Sequence, residues 1–320
     1  MREQTLSVLI SAYGLDLVFG DPRWMPHPVR WMGHAIDRGE RWLRRWISWE
    51  YAAGGLLVFA IVGGCFALSS AVIRSCYWVS RPLGFVASTF LLFACISTRD
   101  LDVESREVFK ALQKNDLPLA RIKVGMIVGR DTEKLTEPEI VRAAIECVAE
   151  NTVDGIISPL FFAFLGGVPW AVAYRAVNTL DAMIGHRTER YIRFGRVAAK
   201  VDDWANFIPA RLSGLLFPLA AGLSGFSFAG SWQTAWRDGL RTAHPNSSVP
   251  EAAMAGALGI QVGGMNSYKG MPVPTPLMGT PHRPLEPRLI TESIRVMYAC
   301  SFITFLAGLI LKMAYMRLSL

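Results

Sequence analysis

The chain has 320 residues, 52% of them hydrophobic and 18% charged, with a net charge of +7, and its mean hydropathy is +0.29. A soluble globular domain carries more charge and less apolar side chain, so this composition argues against a soluble enzyme. The basic excess lies in blocks beside apolar runs, as the positive-inside rule requires. No basic patch interleaved with aromatics stands out, and nucleic acid is not expected as a partner.

The N-terminal run "TLSVLISAYGLDLVFG" is apolar but interrupted by Asp16. It is too long and too poor in basic flanks for a cleaved leader. The block Asp21 to Glu50 opens Pro-rich, as "GDPRWMPHPVRWMG", and offers Asp21, His27 and Arg30 in a Pro-fixed loop. Its second half is basic, and Trp42, Trp46 and Trp49 fall at helical spacing, which suits a membrane interface. Two apolar segments follow, about 52–73 and 82–98, and read as a helical hairpin.

The block Arg99 to Asp154 is the longest polar region. A helix is expected up to Asn115, broken by Asp116-Leu117-Pro118. A second is expected over Glu137 to Asn151, with Thr136 and Glu139 forming a capping box. Nine Lys or Arg between Arg99 and Arg142 place this block in the cytoplasm.

Gly155 to Tyr174 and Leu212 to Trp236 carry no charge, as is also true of Tyr51 to Ile73. Each has the length of a spanning helix, about 20 residues. Within the first, "LGGVPW" predicts a break and some re-entrant character. The Pro-rich stretch "YKGMPVPTPLMGTPHRPLEP" reads as an irregular loop. The five cysteines contain no CxxC, so neither a disulfide framework nor a zinc site is expected. The whole reads as an all-α, polytopic membrane protein with four to six membrane segments, a single membrane-embedded domain over 1–320.

Glu146, Glu150 and Asp154 are spaced i, i+4, i+8, within about 80° on one helical face. Three like charges there repel unless offset, and Mg²⁺ with oxygen ligands is one solution. A solvated acidic helix end is the other. "NTVD", with Asn151 and Asp154, is echoed by "NTLD", with Asn178 and Asp181, so the two motifs are expected to face one another across the apolar segment. Asp202 and Asp203 form a further carboxylate pair, either ligands or a helix cap. Arg99, then Arg130 with Asp131, offer partners for carboxylate or phosphate, although surface ion pairing accounts equally for them. "HPNSSVPEAAMAGALGIQVGG" adds Asn246 and Glu251 beside a small-residue helix. There is no Walker A loop and no Gly-x-Gly-x-x-Gly.

Taken together, "GDPRWMPHPVRWMG", "TRDLDVESREV", "VGRDT", "IECVAENTVDGIISPLFFAFLGGVPWAVAYRAVNTLDAMIG", "DDWANFIPARLSG" and "PEAAMAGALGIQVGG" resemble the CobD/CbiB family of cobalamin biosynthesis, from about residue 10 to residue 300. The resemblance implies a multi-pass enzyme of the cell (inner) membrane with its active site facing the cytoplasm. It implies ATP-dependent amide formation between (R)-1-amino-2-propanol, or its O-phosphate, and the ring-D propionate of adenosylcobyric acid. Mg²⁺ as cofactor and ATP as co-substrate follow from that chemistry. Membrane lipid and other late cobalamin-pathway enzymes at the membrane are the remaining partners implied.

On this reading Glu146, Glu150, Asp154 and Asp181 become catalytic candidates, and Glu150, Asp154, Asp181, Asp202 and Asp203 metal candidates. Asp21, His27, Arg30, Arg99, Arg130, Asp131, Asn151, Asn178, Arg211, Asn246 and Glu251 become substrate- or phosphate-binding candidates. The stretch before "PEAAMAG" departs from the family pattern at His244, Ser248 and Val249, and Cys147 stands where Ser is usual. Two other classes share parts of the pattern. Membrane prenyltransferases hold Mg-diphosphate on Asn/Asp motifs, although a further Asp expected four residues on is missing here. A corrinoid-binding or transport protein without catalysis would also suit a near-repeat around an apolar break.

Overall fold

A computed structural model describes residues 2–21, 27–186 and 188–318. The Pro-fixed loop expected after Asp21 falls at 22–26, outside the described residues. In chain order the helices are α1 (Arg2–Phe19), α2 (Pro28–Trp46), α3 (Glu50–Val79), α4 (Arg81–Phe93), α5 (Thr98–Gln113), α6 (Leu117–Gly125) and α7 (Glu137–Thr152). A π-helical turn, Val153–Ile157, leads into α8 (Ser158–Gly166), α9 (Val168–Ile184), α10 (Arg196–Ala205), α11 (Phe207–Leu223), α12 (Phe228–Arg237) and α13 (Pro245–Leu258). The strands β1 (Gln261–Tyr268) and β2 (Met271–Gly279) precede α14 (Arg288–Leu318). The chain packs as two compact units, one of Met1–Arg99, Asp154–Phe207 and Ala307–Leu320, the other of Asp100–Val153 and Ile208–Leu306.

Helix boundaries follow local chemistry. Ser80 caps α4, accepting from the Leu83 N–H at 3.3 Å, with Pro82 in the first turn. Asn115 adopts φ 54° and Asp116 caps α6 through the Leu119 N–H at 3.0 Å, so the break falls where Asp116-Leu-Pro118 put it. Thr136 and Glu139 form the expected capping box of α7. Gly167, at φ 82°, parts α8 from α9, so the chain turns back inside the uncharged run 155–174.

In the first unit, Ile36 of α2, Leu57 of α3, Leu180 and Ile184 of α9, and Phe194 form a closed core. Gly54 lets α3 approach closely, because a Cβ there would stand 1.8 Å from the Phe194 carbonyl oxygen. The outer face of α3 is apolar, with Phe59 76% and Trp78 89% exposed, a surface that suits lipid rather than water. Among the described residues, four helical stretches, Glu50–Val79, Arg81–Gln113, Glu137–Gly166 and Arg288–Leu318, are long and apolar enough to cross a bilayer. The pair Arg196–Ala205 and Phe207–Leu223, bent by 44°, makes a fifth if counted as one. The protein is thus an all-α membrane type.

Four expectations are corrected. The run 212–236 is not one helix, because Gly225 at φ 80° opens a turn between α11 and α12. Trp49 does not share a helix with Trp42 and Trp46, since α2 ends at Trp46 and Trp49 caps α3. The α-helical phase that aligned Asp154 with Glu146 and Glu150 ends at Thr152, where the π turn changes the spacing. The Pro-rich stretch is not irregular at its start: it is β2, antiparallel to β1. Pro272 and Pro274 pair with Ser267 and Met265, positions whose backbone nitrogens face away from β1. The missing N–H groups therefore cost the ladder nothing and blunt its outer edge. Lys269 and Gly270, at φ 52° and 77°, make the two-residue turn that twisted hairpins favour.

Candidate active site

In the second unit, α7 presents Glu146 toward the hairpin. Glu146 is buried, accepts from the Gly263 N–H at 2.8 Å and pairs with Arg130. Arg142, one turn earlier on α7, lies 4.0 Å from it. Both guanidinium groups converge on Asn266 Oδ1, Arg130 at 2.6 Å and Arg142 at 3.0 Å, and Arg142 also donates to the Met265 carbonyl at 3.1 Å. This explains the "GG" of the sequence. A Cβ on Gly263 would stand 2.0 Å from the Pro276 carbonyl oxygen, and one on Gly264 2.9 Å from Arg142 Nη1. Arginine therefore offsets the charge of Glu146.

Glu251 of α13 stands within electrostatic reach of the same group. Burial, then the carboxylates of Glu146 and Glu150, push its carboxyl well above the usual range, while Arg130 and Arg142 pull the other way. Glu150, one turn beyond Glu146, is exposed. Asn151 turns back on its own helix, donating to the Cys147 carbonyl at 2.9 Å. The Cys147 thiol donates to the Ile127 carbonyl at 3.1 Å, the bond a serine would make there. Asp131 does not point into this group. It accepts from Ser267 Oγ at 2.7 Å and from the N–H groups of Lys269 and Gly270 at 2.9 and 2.7 Å, and these bonds hold its carboxyl below the usual range. Arg211 of α11 bonds Asn246 at the start of α13. The departures from the family pattern are absorbed in α13, where Val249 is fully buried and Ser248 accepts from Thr242 Oγ1 at 2.8 Å.

In the first unit the two motifs meet. Asn178 Nδ2 of "NTLD" donates to Asp154 Oδ2 of "NTVD" at 3.3 Å, because the Gly167 turn folds α9 back along α8. Arg175, one turn before Asn178, donates to Asn178 Oδ1 at 3.3 Å and to Ser97 Oγ at 3.2 Å. Ser97 is itself fixed by its N–H to the Gly155 carbonyl at 2.9 Å. Tyr174 Oη lies 3.2 Å from the Asp154 carbonyl oxygen and 2.9 Å from Asn206 Oδ1. Asn206, buried at the bend after α10, donates to Asp202 Oδ2 at 3.0 Å and accepts from Ser158 Oγ at 2.6 Å.

Asp181, one turn past Asn178, feels the exposed carboxylate of Asp203. Asp21 Oδ1 lies 2.9 Å from His27 Nε2. His27 Nδ1 accepts from the Val29 N–H at 3.3 Å. Arg30 is exposed in the first turn of α2, and Arg99 half-buried in the first turn of α5. The Asp16 that interrupts the first apolar run accepts from the Thr98 N–H at 3.2 Å, at the N-terminus of α5.

The sequence reading missed Arg142, Arg175, Tyr174, Asn206 and Asn266. Arg175 had a signal, lying three residues before Asn178 on the same helical face. Among the described residues no three His, Cys, Asp or Glu side chains converge.

Residues 9–297 match the family described as CobD/Cbib protein. The chain is 47% identical over 305 residues to the cobalamin biosynthesis protein CobD of Geobacter metallireducens, covering 95% of this chain and 96% of that one. It is 43% identical over 300 residues to the cobalamin biosynthesis protein CbiB of Salmonella typhimurium, covering 93% and 94%. The same identity and coverage hold for the cobalamin biosynthesis protein CobD of Klebsiella pneumoniae. No solved structure matches the chain.

Proposed function

The protein belongs to the CobD/CbiB family of cobalamin-biosynthesis proteins, and we propose that it is the ligase that joins (R)-1-amino-2-propanol, or its O-phosphate, to the ring-D propionate of adenosylcobyric acid at the expense of ATP. A carboxylate does not acylate an amine at neutral pH. It must first be activated, most simply as an acyl phosphate, and the ammonium must lose a proton before it attacks. Such a site needs cationic donors for phosphoryl oxygens, a carboxylate to take the proton, and a place for the divalent ion that accompanies ATP.

The observation that best supports this reading is the contact chain Asp154–Asn178–Arg175, a carboxylate, an amide and a guanidinium in sequence on one unit. Mg²⁺ is usually held by one or two carboxylates, with phosphate and water completing its shell. Asp154 with the Asn178 amide is a donor set of that size, and Asp181 with Asp203 is another. Mg²⁺ bound there would neutralise phosphoryl charge. Within the second unit, Glu150 is an exposed carboxylate on α7 of a kind able to accept a proton. Within the second unit, taken by itself, Arg130 and Arg142 both donate to Asn266 Oδ1 and are candidate contacts for carboxamide or phosphate oxygens.

Turnover tests the reading. Purified protein in detergent, given adenosylcobyric acid, Mg-ATP and either form of the amine, is expected to yield the amide, detected by mass. No amide from either amine, beside an active relative as control, overturns it. Asp154→Asn is expected to lower kcat by roughly 100-fold or more with an unchanged melting profile. Near-normal turnover in that variant would return Asp154 to a structural role.

A further inference from the structure

Arg175 is the one arginine of the Asp154–Asn178 group, and its surroundings are unusual. Among the described residues its hydrogen bonds go only to neutral acceptors, Ser97 Oγ at 3.2 Å and Asn178 Oδ1 at 3.3 Å. Both are long for a charged donor, where about 2.7–2.9 Å is typical. Its Nε is buried without an acceptor. No ion pair joins Arg175 to a carboxylate among the described residues, and Asp154 Oδ2 takes the Asn178 amide at 3.3 Å. Ser97 Oγ accepts from Arg175, and its hydroxyl proton has no acceptor among the described residues. Among the described residues, Arg175 Nε–H and Ser97 Oγ–H are thus two donors without acceptors, on a half-buried guanidinium that makes no ion pair and the hydroxyl beside it. Withdrawing such a charge from water is costly unless it is paired, and an incoming anion supplies the pairing.

We propose that Arg175 and Ser97 form a binding pocket for a phosphoryl group of a substrate, beside the carboxylate of Asp154. A tetrahedral oxyanion replaces the two long hydrogen bonds and takes up the two unused donors. Asp154 with Asn178 beside it would hold a divalent ion, which would offset phosphoryl charge. The inference deepens the ligase reading and rests on it for the identity of the phosphoryl donor, but not for the existence of the pocket.

The test is binding of inorganic phosphate to the purified full chain in detergent, read as a shift in the thermal midpoint of tryptophan fluorescence at matched ionic strength. Pyrophosphate and acetate are run alongside. Phosphate and pyrophosphate are expected to raise the midpoint of the native protein, and acetate to leave it unchanged. Arg175→Gln is expected to weaken phosphate binding roughly 10- to 100-fold, with Arg175→Lys in between. Should Arg175→Gln fail to fold, Ser97→Ala decides, with weaker phosphate binding expected at an unchanged basal midpoint. An equal phosphate shift in the folded variant, or no shift in the native protein, overturns the proposal. Acetate as effective as phosphate overturns the phosphoryl assignment. If phosphate binds in an Arg175-dependent way but no amide forms, the pocket stands and the ligase reading falls. If amide forms with an unchanged KM for ATP and the phosphorylated amine in Arg175→Gln, the reverse holds.

Discussion

Glu146 is held on three sides, by the charges of Arg130 and Arg142 and by the Gly263 N–H. Its removal therefore exposes a general asymmetry: breaking one member of a buried ion network leaves the others uncompensated. Glu146→Gln is expected to destabilise the protein by about 3–5 kcal/mol, read as a lowered thermal midpoint in detergent. Pairing it with Arg130→Gln should restore part of the loss, because one stranded charge disappears with its partner. A Glu146→Gln midpoint equal to the native one would mean that the network is not closed as described. The residue types here were legible before the fold was known, since Glu146 and Arg130 both lie in family motifs. What they do was not. Spacing along one helix suggested repulsion among carboxylates, whereas the compensating arginine arrives from a loop sixteen residues upstream.

At the scale of the element, the β1–β2 hairpin carries Asn266 and the Gly263–Gly264 pair into the second unit's charged group. Its turn is latched by Asp131 through three hydrogen bonds. These hold the carboxyl below its usual range, so the folded state prefers the ionised form. The stabilisation is therefore present above the unfolded value, about pH 3.9, and is lost as the pH falls through the lowered folded value. Hydrogen exchange at the Lys269 and Gly270 amides is expected to be slow at neutral pH and to lose protection on acidification. Asp131→Asn should show weak protection throughout, and equal protection in the two proteins would sink the latch. The prolines of β2 had disguised this element. Read as composition they signal a loop, and read at alternate positions they signal an edge strand.

For the whole molecule, the return of α9 along α8 puts Asp154 and Asn178 at one level of the first unit. A pass straight through from 155 to 174 would have separated them. The positive-inside rule leads us to propose that the carboxylates of the first unit face the cytoplasm. An Asp203→Cys variant, made in a chain otherwise free of cysteine, is expected to react with a membrane-impermeant maleimide in inverted vesicles and not in intact cells. Labelling in intact cells would place Asp203 on the opposite face.

The sequence alone determined the membrane character, most helix boundaries and the family, because hydropathy, caps and ordered motifs are local properties of the chain. The capping box of Thr136 and Glu139, the break at Gly167 and the facing "NTVD" and "NTLD" motifs all rest on such signals. Only the tertiary structure decided which charges neutralise one another and which do not. Glu146 found arginine, Asp131 found the turn of a hairpin, and Arg175 was left with neutral partners. Those outcomes depend on side chains brought together from distant segments, and electrostatic compensation is a property of distance in space that spacing along the chain does not encode.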